Sequence, residues 1–377
     1  MEYINLGRSG LKVSKLCLGT WHLPHLEEKD EYGVYKINVE EVRRIVKRAI
    51  DLGINCIDTA NRYHGAMAPV DLQHVGTSER ILGEVLQGFD RESLVIATKV
   101  RGQMAPWPNG EGLSRKHIMW QIRESLKRLR TDYVDLYQMH WPDPSTPIEE
   151  SMEAMADLVH RGLVNYIGAS NFPADAYAYM SQLARELHVP FVSMQELYNW
   201  LERDNDAKLE TAKRYGLSVL AYSPLAQGFL TGKYLSGVPQ SSRATYMPDL
   251  PKRYMTPERL EAVKRFHEVA QRLGVKDSQL ALAWILKRAE EVGVAIVPII
   301  GATRTEQLEE NVEAVSINLK WDVYRELEDI YSALRAKGYR LTSYAFLSKY
   351  LLLRYTTPTI TGASVSLAAN CPSTVSQ

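Results

Sequence analysis

Four polar residues in this sequence could together hand a proton to an oxygen. Asp58 closes the apolar run "INCID", and Tyr63 follows in "DTANRYHG". Lys99 extends "LVIATK" and His140 extends "VDLYQMH". A free tyrosine has a pKa near 10 and is a poor acid at neutral pH. A neighbouring ammonium favours the phenolate and is expected to lower that value. A lysine at the end of a buried run needs a counter-charge, which Asp58 can supply. Tyr63 then becomes a proton donor to an oxygen gaining negative charge, and His140 can donate a second hydrogen bond to it. Such a site suits a carbonyl that receives a hydride. No side chain supplies a hydride, so a cofactor must.

These residues need elements that bring them to one place. Eight short apolar runs recur along the chain, at 15–19, 54–58, 94–99, 134–140, 164–170, 191–195, 217–223 and 294–300. Amphipathic helical patterns lie between them. "VEEVRRIVKRAIDLG" puts Val39, Val42, Val46 and Ile50 on one face, with Gly53 at the C-cap. "SRKHIMWQIRESLKRL" has Ser114 as N-cap and a stripe of Ile118, Ile122, Leu126 and Leu129. "IEESMEAMADLVHRG" repeats the pattern. Continuous apolar strands joined by helical crossovers predict a parallel sheet, and eight units close a (β/α)8 TIM barrel. A doubly wound sheet would carry GxGxxG after its first strand, where this chain has "GTWHLP". An N-terminal β-hairpin, "EYINLGRSGLKVS", is expected to turn at Arg8-Ser9-Gly10 and close the barrel bottom. Long loops at 64–77 and 224–256 are expected at the C-terminal face, where barrels place their chemistry. Polar residues do fall at successive strand ends: Asp58, Lys99, His140, Ser170-Asn171, Gln195 and Tyr222-Ser223.

Composition narrows the class. The 377 residues carry 45 basic and 45 acidic side chains, which argues against a nucleic-acid surface. No run approaches the ~18 apolar residues of a transmembrane helix. Cys17, Cys56 and Cys371 form no CxxC spacing, and Cys17 and Cys56 lie in strand-like runs as expected of buried free thiols. The first ten residues lack a signal-peptide layout, so a reducing cytoplasmic setting is expected. Nothing in the chain specifies an oligomeric state.

The chain resembles the aldo-keto reductases, in detail the branch that also holds bacterial members and the potassium-channel β-subunits. The similarity runs through "LGTW", "GINCIDTANRY", "SERILGEVL", "VIATKV", "RTDYVDLYQMHWPD", "GLVNYIGASNF", "MQELYN", "LAYSPLAQGFLTGKY" and "IIGATRTEQLEENV", over about residues 1–335. It implies a (β/α)8 barrel, reduction of an aldehyde or ketone with NADP(H), and no metal. It makes Tyr63 the general acid, with Asp58, Lys99 and His140 completing a tetrad. Thr20, Trp21 and Asp58 would lie at the cofactor. Ser170, Asn171 and Gln195 would hold the nicotinamide carboxamide, and Tyr222 would stack on the ring. The stretch from Ser223 to Lys233, with Pro224, Leu225, Gln227 and Gly228, would wrap the pyrophosphate. Gly301, Thr303, Arg304, Gln307, Glu310 and Asn311 would hold the adenosine end, and Arg304 is placed for a 2′-phosphate, favouring NADP over NAD. Loops after strands 7 and 8 are where barrels bind phosphate.

The sequence departs from that branch in two places. "HGAMAPVDLQHVGT" lengthens the loop after Tyr63, and it is expected to form a lid or pocket wall. Trp21, Trp107 and Trp141 are expected to line a small-molecule carbonyl pocket with Tyr63 and His140. The pair His22 and His25 in "HLPH" lacks a third ligand for zinc and reads as loop histidines. The barrel is expected to span 1–336, and 337–377 forms an atypical extension whose last residues read as disordered. An alternative is a nicotinamide-binding regulatory subunit of the channel-β type with slow turnover.

Overall fold

A computed structural model describes residues 1–66, 71–240, 242–246 and 249–336; the 337–377 extension lies outside the described residues. The chain opens with a hairpin of β1 (Tyr3–Asn5) and β2 (Lys12–Ser14), followed by β3 (Cys17–Gly19). A second hairpin, β4 (His25–Lys29) and β5 (Tyr35–Ile37), precedes α1 (Val39–Asp51). Strands and helices then alternate: β6 (Cys56–Asp58), α2 (Thr77–Val85), β7 (Val95–Val100), α3 (Arg115–Leu129), β8 (Val134–Met139) and α4 (Ile148–His160). Next come β9 (Val164–Ser170), α5 (Ala174–Glu186), β10 (Phe191–Leu197), α6 (Asp206–Tyr215) and β11 (Ser218–Tyr222). Short helices α7 (Arg243–Tyr246) and α8 (Asp249–Tyr254) lead into α9 (Pro257–Leu273) and α10 (Asp277–Val292). The chain continues through β12 (Ile296–Ile300), α11 (Thr305–Glu313) and α12 (Trp321–Ala336).

Eight of these strands close into a parallel barrel in the order β3-β6-β7-β8-β9-β10-β11-β12. The seam is β12 against β3, with Ile299 opposite Cys17. All eight correspond to the apolar runs read in the sequence. The (β/α)8 expectation therefore holds, as does the N-terminal hairpin. Its turn reaches the barrel bottom. Gly7 N–H donates to Ser218 Oγ and Arg8 N–H to the Gly216 carbonyl at 2.8 Å. Gly7 sits at φ +58°, and a Cβ there would lie 2.3 Å from the Val192 carbonyl oxygen, so glycine is required by both conformation and space.

The alternation of β side chains sorts the barrel into layers. Cys56, Val95, Ala97 and Leu136 point inward and form a dry lower layer with Leu6 and Val13 of the hairpin. Two residues further along the same inward faces come Asp58, Lys99 and Gln138, all buried. Outward-facing Ile57, Ile96 and Val100 join the larger core beneath the helices. The helices are held as their sequences imply. Ser114 accepts from His117 N–H at the start of α3, and Asn38 accepts from Glu41 N–H at the start of α1. The α1 C-cap is Leu52 rather than Gly53, which follows at φ +86°. Cys17 and Cys56 are buried free thiols side by side on β3 and β6, and burial pushes the Cys17 thiol up. Among the described residues no helix is long and apolar enough to cross a membrane.

Candidate active site

The site is assembled at the C-terminal ends of β6, β7 and β8. After Asp58 the chain follows the end of β7, with Thr59 N–H donating to the Ala97 carbonyl and Asn61 N–H to the Lys99 carbonyl. A tight turn, Tyr63 N–H to the Ala60 carbonyl at 3.1 Å, then brings the phenol back over Lys99. The Lys99 ammonium has three donors and uses them on three oxygens: Asp58 Oδ2 at 2.5 Å, the Thr59 carbonyl at 2.8 Å and Tyr63 Oη at 3.3 Å. It also lies 4.8 Å from the centre of the Tyr63 ring. The His140 ring meets that ring edge-on at 5.6 Å. Asp58, Tyr63, Lys99 and His140, up to 82 positions apart in the sequence, thus converge in one place.

Asp58 is anchored on its other side too. Oδ1 accepts from Gln195 Nε2 at 2.9 Å and from Gln138 Nε2 at 3.3 Å. Gln195 also donates to Gln138 Oε1 at 3.4 Å, so the two amides form a pair beneath the carboxylate. The sequence reading overlooked Gln138. Its signal was a polar residue at an inward position of the otherwise apolar run "VDLYQMH".

The electrostatics follow from burial and these contacts. Burial pushes the Tyr63 phenol upward and Asp58 pushes the same way, while Lys99 pulls it down; the net direction is up. The expected acidification of Tyr63 in the resting site is therefore corrected: desolvation outweighs the ammonium. Burial works against the Lys99 charge, but Asp58 and Tyr63 override it and raise the ammonium above its ordinary range. Burial, then Lys99, Arg62 and Arg101, hold His140 well below the usual histidine value. The imidazole is neutral, and its Nδ1 is buried without a hydrogen-bond partner among the described residues. The arrangement sets a protonated phenol against an ammonium, with a neutral imidazole edge-on to the phenol ring.

Next to this group, β9 ends in Ser170 and Asn171. Ser170 Oγ donates to the Gln195 carbonyl at 2.8 Å. Asn171 stands at φ +63°, donates to the His140 carbonyl, and accepts from Tyr222 Oη at 2.8 Å. Ser170, Asn171 and Tyr222 are thus one hydrogen-bonded unit joined to His140. Thr20, buried, is fixed to the Asp58 carbonyl by its N–H and its hydroxyl. From Ser223 the chain coils tightly, with Ser223, Ala226 and Gln227 at φ +53°, +47° and +56° and Gly228 at +93°. Pro224 and Leu225 lie inside this coil, and the Leu225 carbonyl accepts from Gly228 N–H and Leu230 N–H. Lys233 folds over Gly228, where a Cβ would lie 2.9 Å from Nζ. The buried Gln227 Oε1 has no hydrogen-bond partner among the described residues.

At β12, Gly301 borders open space and exposed Arg304 precedes α11. Gln307 Oε1 accepts from the Thr303 N–H and hydroxyl, Glu310 accepts from the Ser278 hydroxyl, and Asn311 is buried. A lysine folded over a glycine in the strained coil, and a helix N-terminus beside an exposed arginine, suit a ligand that carries phosphates.

The tryptophans separate. The Trp141 ring lies 4.5 Å from the His140 ring and so borders the site. Trp21 is 45% exposed, directly after Thr20. Trp107 is 59% exposed and its ring packs on Trp120 of α3, not on Tyr63, His140 or Trp141. Trp200 is core, with Nε1 donating to the Leu327 carbonyl.

The loop after Tyr63 is tied down on both described sides. Leu23 N–H donates to the Gly65 carbonyl at 2.9 Å. His74 bridges Asp71 on its own loop at 2.8 Å and Asp30, in the turn between β4 and β5, at 2.5 Å. Tyr32 packs edge-on against the His74 ring. The sequence reading missed this second hairpin, whose strands are short and mostly exposed. His25 stacks on Tyr35 within it, 4.5 Å between rings.

An eight-stranded barrel thus carries a buried lysine and carboxylate beside a half-buried phenol and imidazole at its C-terminal mouth, an oxidoreductase-type site. The aldo/keto reductase family model matches residues 15–332, and the chain belongs to that family. It is 37% identical over 322 residues to L-glyceraldehyde 3-phosphate reductase of Escherichia coli K12, covering 84% of this chain and 88% of the relative. It is 38% identical over 337 residues to a putative voltage-gated potassium channel subunit beta of Schizosaccharomyces pombe, covering 86% and 92%. A probable voltage-gated potassium channel subunit beta of Arabidopsis thaliana is 37% identical over 329 residues, covering 84% and 92%.

Proposed function

We propose that the protein is an NADPH-dependent reductase that converts an aldehyde or ketone to an alcohol, with Tyr63 as the general acid. The observation that carries this reading is the Lys99 ammonium held between the Asp58 carboxylate and the Tyr63 hydroxyl. When bound, the nicotinamide supplies the hydride to the carbonyl carbon and leaves oxidised. Tyr63 gives its proton to the carbonyl oxygen as that oxygen gains negative charge. Lys99 stabilises the phenolate that forms, and Asp58 keeps Lys99 charged and fixed. Neutral His140 donates a hydrogen bond to the same oxygen and orients the substrate. Ser170, Asn171 and Gln195 would hold the nicotinamide carboxamide, Tyr222 would stack on its ring, the coil from Ser223 to Lys233 would hold the pyrophosphate, and Arg304 would favour a 2′-phosphate.

The test is NADPH oxidation across a panel of aldehydes and ketones, with the wild type beside Tyr63→Phe. The panel includes glyceraldehyde 3-phosphate, the compound in the name of the E. coli relative. Loss of the acid is expected to lower kcat by roughly 10²–10⁴-fold. A Tyr63→Phe protein that keeps the wild-type rate overturns Tyr63 as the acid. Two of the relatives carry channel-subunit names. Turnover at background for every carbonyl, with tight NADPH binding, would select that regulatory reading instead.

A further inference from the structure

Gln138 belongs to the Asp58 cluster, yet the proposed reaction gives it no task. Asp58, Gln138 and Gln195 come from β6, β8 and β10, alternate strands, which in a closed barrel share one interior layer. All three are buried, Gln138 completely. An apolar side chain would need no partners here, whereas a buried amide is costly unless its polar atoms are paired. In the strand register Gln138 stands between Lys99 of β7 and Gly168 of β9. Gly168 leaves it room: a Cβ there would lie 3.4 Å from Gln138 Cγ and 2.4 Å from Ser193 Oγ.

The chemistry of the three partners fixes which way each amide points. A carboxylate only accepts, so both amides turn N–H groups toward Asp58 Oδ1, Gln195 at 2.9 Å and Gln138 at 3.3 Å. The Gln138 oxygen then faces Gln195 Nε2 at 3.4 Å. Gln195 thus has two acceptors for its two N–H groups, and its Oε1 takes no hydrogen bond from a described residue. Without Gln138, one of those N–H groups loses its acceptor. The amide then turns more freely about its last torsion, which has broad preferences of its own. Both Gln138 contacts are at the long end for hydrogen bonds, so the effect belongs at the weak end of the range for one such bond.

We propose that Gln138 is a positioning residue, which holds the Gln195 amide so that Oε1 is presented to the carboxamide N–H of a nicotinamide. It acts through Gln195 and is not itself a catalytic residue. This rests on the nicotinamide reading above.

The experiment measures Kd by equilibrium titration of the full chain with three ligands. The first is NADPH. The second is its acetylpyridine analogue, in which a methyl group replaces the carboxamide NH2. The third is 2′,5′-ADP, which has no nicotinamide. If NADH binds more tightly than NADPH, the same series is run with NADH, its acetylpyridine analogue and ADP. Gln138→Leu removes both bonds at similar volume. It is expected to weaken the dinucleotide about three- to fivefold, the scale of one weak hydrogen bond. The acetylpyridine analogue and the adenosine ligand should stay within about twofold of their wild-type values. Gln138→Met should behave the same way, and it takes over if the leucine variant does not fold. In a Gln195→Leu background, Gln138→Leu should cost nothing further, because the amide it holds is gone. A merely structural role would weaken all three ligands together. Unchanged dinucleotide affinity, an equal loss for all three ligands, or a full further loss in the Gln195→Leu background overturns the proposal and leaves the nicotinamide reading standing. If the wild type binds no nicotinamide dinucleotide, that reading falls and the positioning role falls with it.

Discussion

At the scale of single residues, the decisive object is an ammonium buried in the barrel with all three protons spoken for. Replacing Asp58 by Asn keeps the shape and removes the charge. Removing one partner of a buried ion pair costs about 3–5 kcal/mol, because the other charge is left uncompensated. Asp58→Asn should therefore lower stability in urea as well as activity; a midpoint equal to the wild type would mean that the pair does not hold the barrel mouth together. The pH behaviour of reduction follows from the shifts. An acid must be protonated to act, and the Tyr63 phenol is raised above its ordinary 10. The alkaline fall in kcat should begin above pH 10, and Asp58→Asn, which removes one upward influence, should bring it lower. His140 acts neutral and is depressed well below 6.5. No acid limb should appear near pH 6.5 in a steady-state profile; one that does would assign His140 a charge-dependent role. Asp58, Lys99 and His140 were legible in the sequence because each ends an apolar run, where a bare polar group is costly, and Tyr63 by its place five residues after Asp58. Gln138 was not singled out: its partners Asp58 and Gln195 are 80 and 57 positions away, and only the closed barrel brings them together. Trp107, expected at the pocket, is exposed and packs its ring on Trp120, a contact that adjacency to a strand end does not reveal.

At the scale of elements, the eight strands were legible because burial on both faces forces continuous apolar runs. The β4–β5 hairpin was not, because "HLEEK" and "YKI" bury little and carry no apolar face to read. Its function lies in the turn. Asp30 Oδ1 accepts from the N–H groups of Tyr32 and Val34, which leaves Oδ2 for His74 of the loop that follows Tyr63. Partial burial opposes the His74 charge, but hydrogen bonds and attraction from Asp30 and Asp71 raise it above 6.5. Burial likewise opposes the two carboxylates, whose bonds to His74 and to backbone N–H groups nonetheless hold them below 3.8. The histidine contribution is full below pH 6.5 and is lost as pH rises through the raised value. The carboxylate contribution is full above 3.8 and is lost as pH falls through the lowered values. The clasp is therefore strongest between about pH 4 and 6.5 and loosens in alkali. An NMR titration of the His74 ring should give a pKa above 6.5 that drops in Asp30→Asn. An unshifted His74 in the wild type would remove the clasp. Amide exchange at Gly65 and Val75 should quicken above pH 7 beyond the intrinsic rate, and His74→Gln should abolish that excess.

At the scale of the whole molecule, the barrel gathers side chains from β6, β7, β8, β9, β10 and β11 at one mouth, while the hairpin of β1 and β2 plugs the other end. Each buried leucine or valine of that plug contributes roughly 1.5–3 kcal/mol. The rigid lower layer lets Asp58 be shared by Lys99, Gln138 and Gln195 without rearrangement. The segments proposed to hold the cofactor stand apart from that layer, in the coil after β11 and at the start of α11. A dinucleotide would bridge them, binding the native barrel and not the unfolded chain, so it should stabilise the fold by mass action. At a hundredfold excess over Kd the gain is about 2.7 kcal/mol, which for a domain of this size means several degrees in Tm. Arg304 stands exposed at the N-terminus of α11, where a guanidinium and the helix dipole both favour a phosphate. NADPH should therefore raise Tm more than NADH at equal concentration. Arg304→Ala should narrow that difference while leaving most of the NADH shift, because the contact proposed for it is to the 2′-phosphate alone. Equal shifts for the two cofactors in the wild type would remove the preference for NADP. A larger shift with NADH would reverse it and assign the arginine another partner.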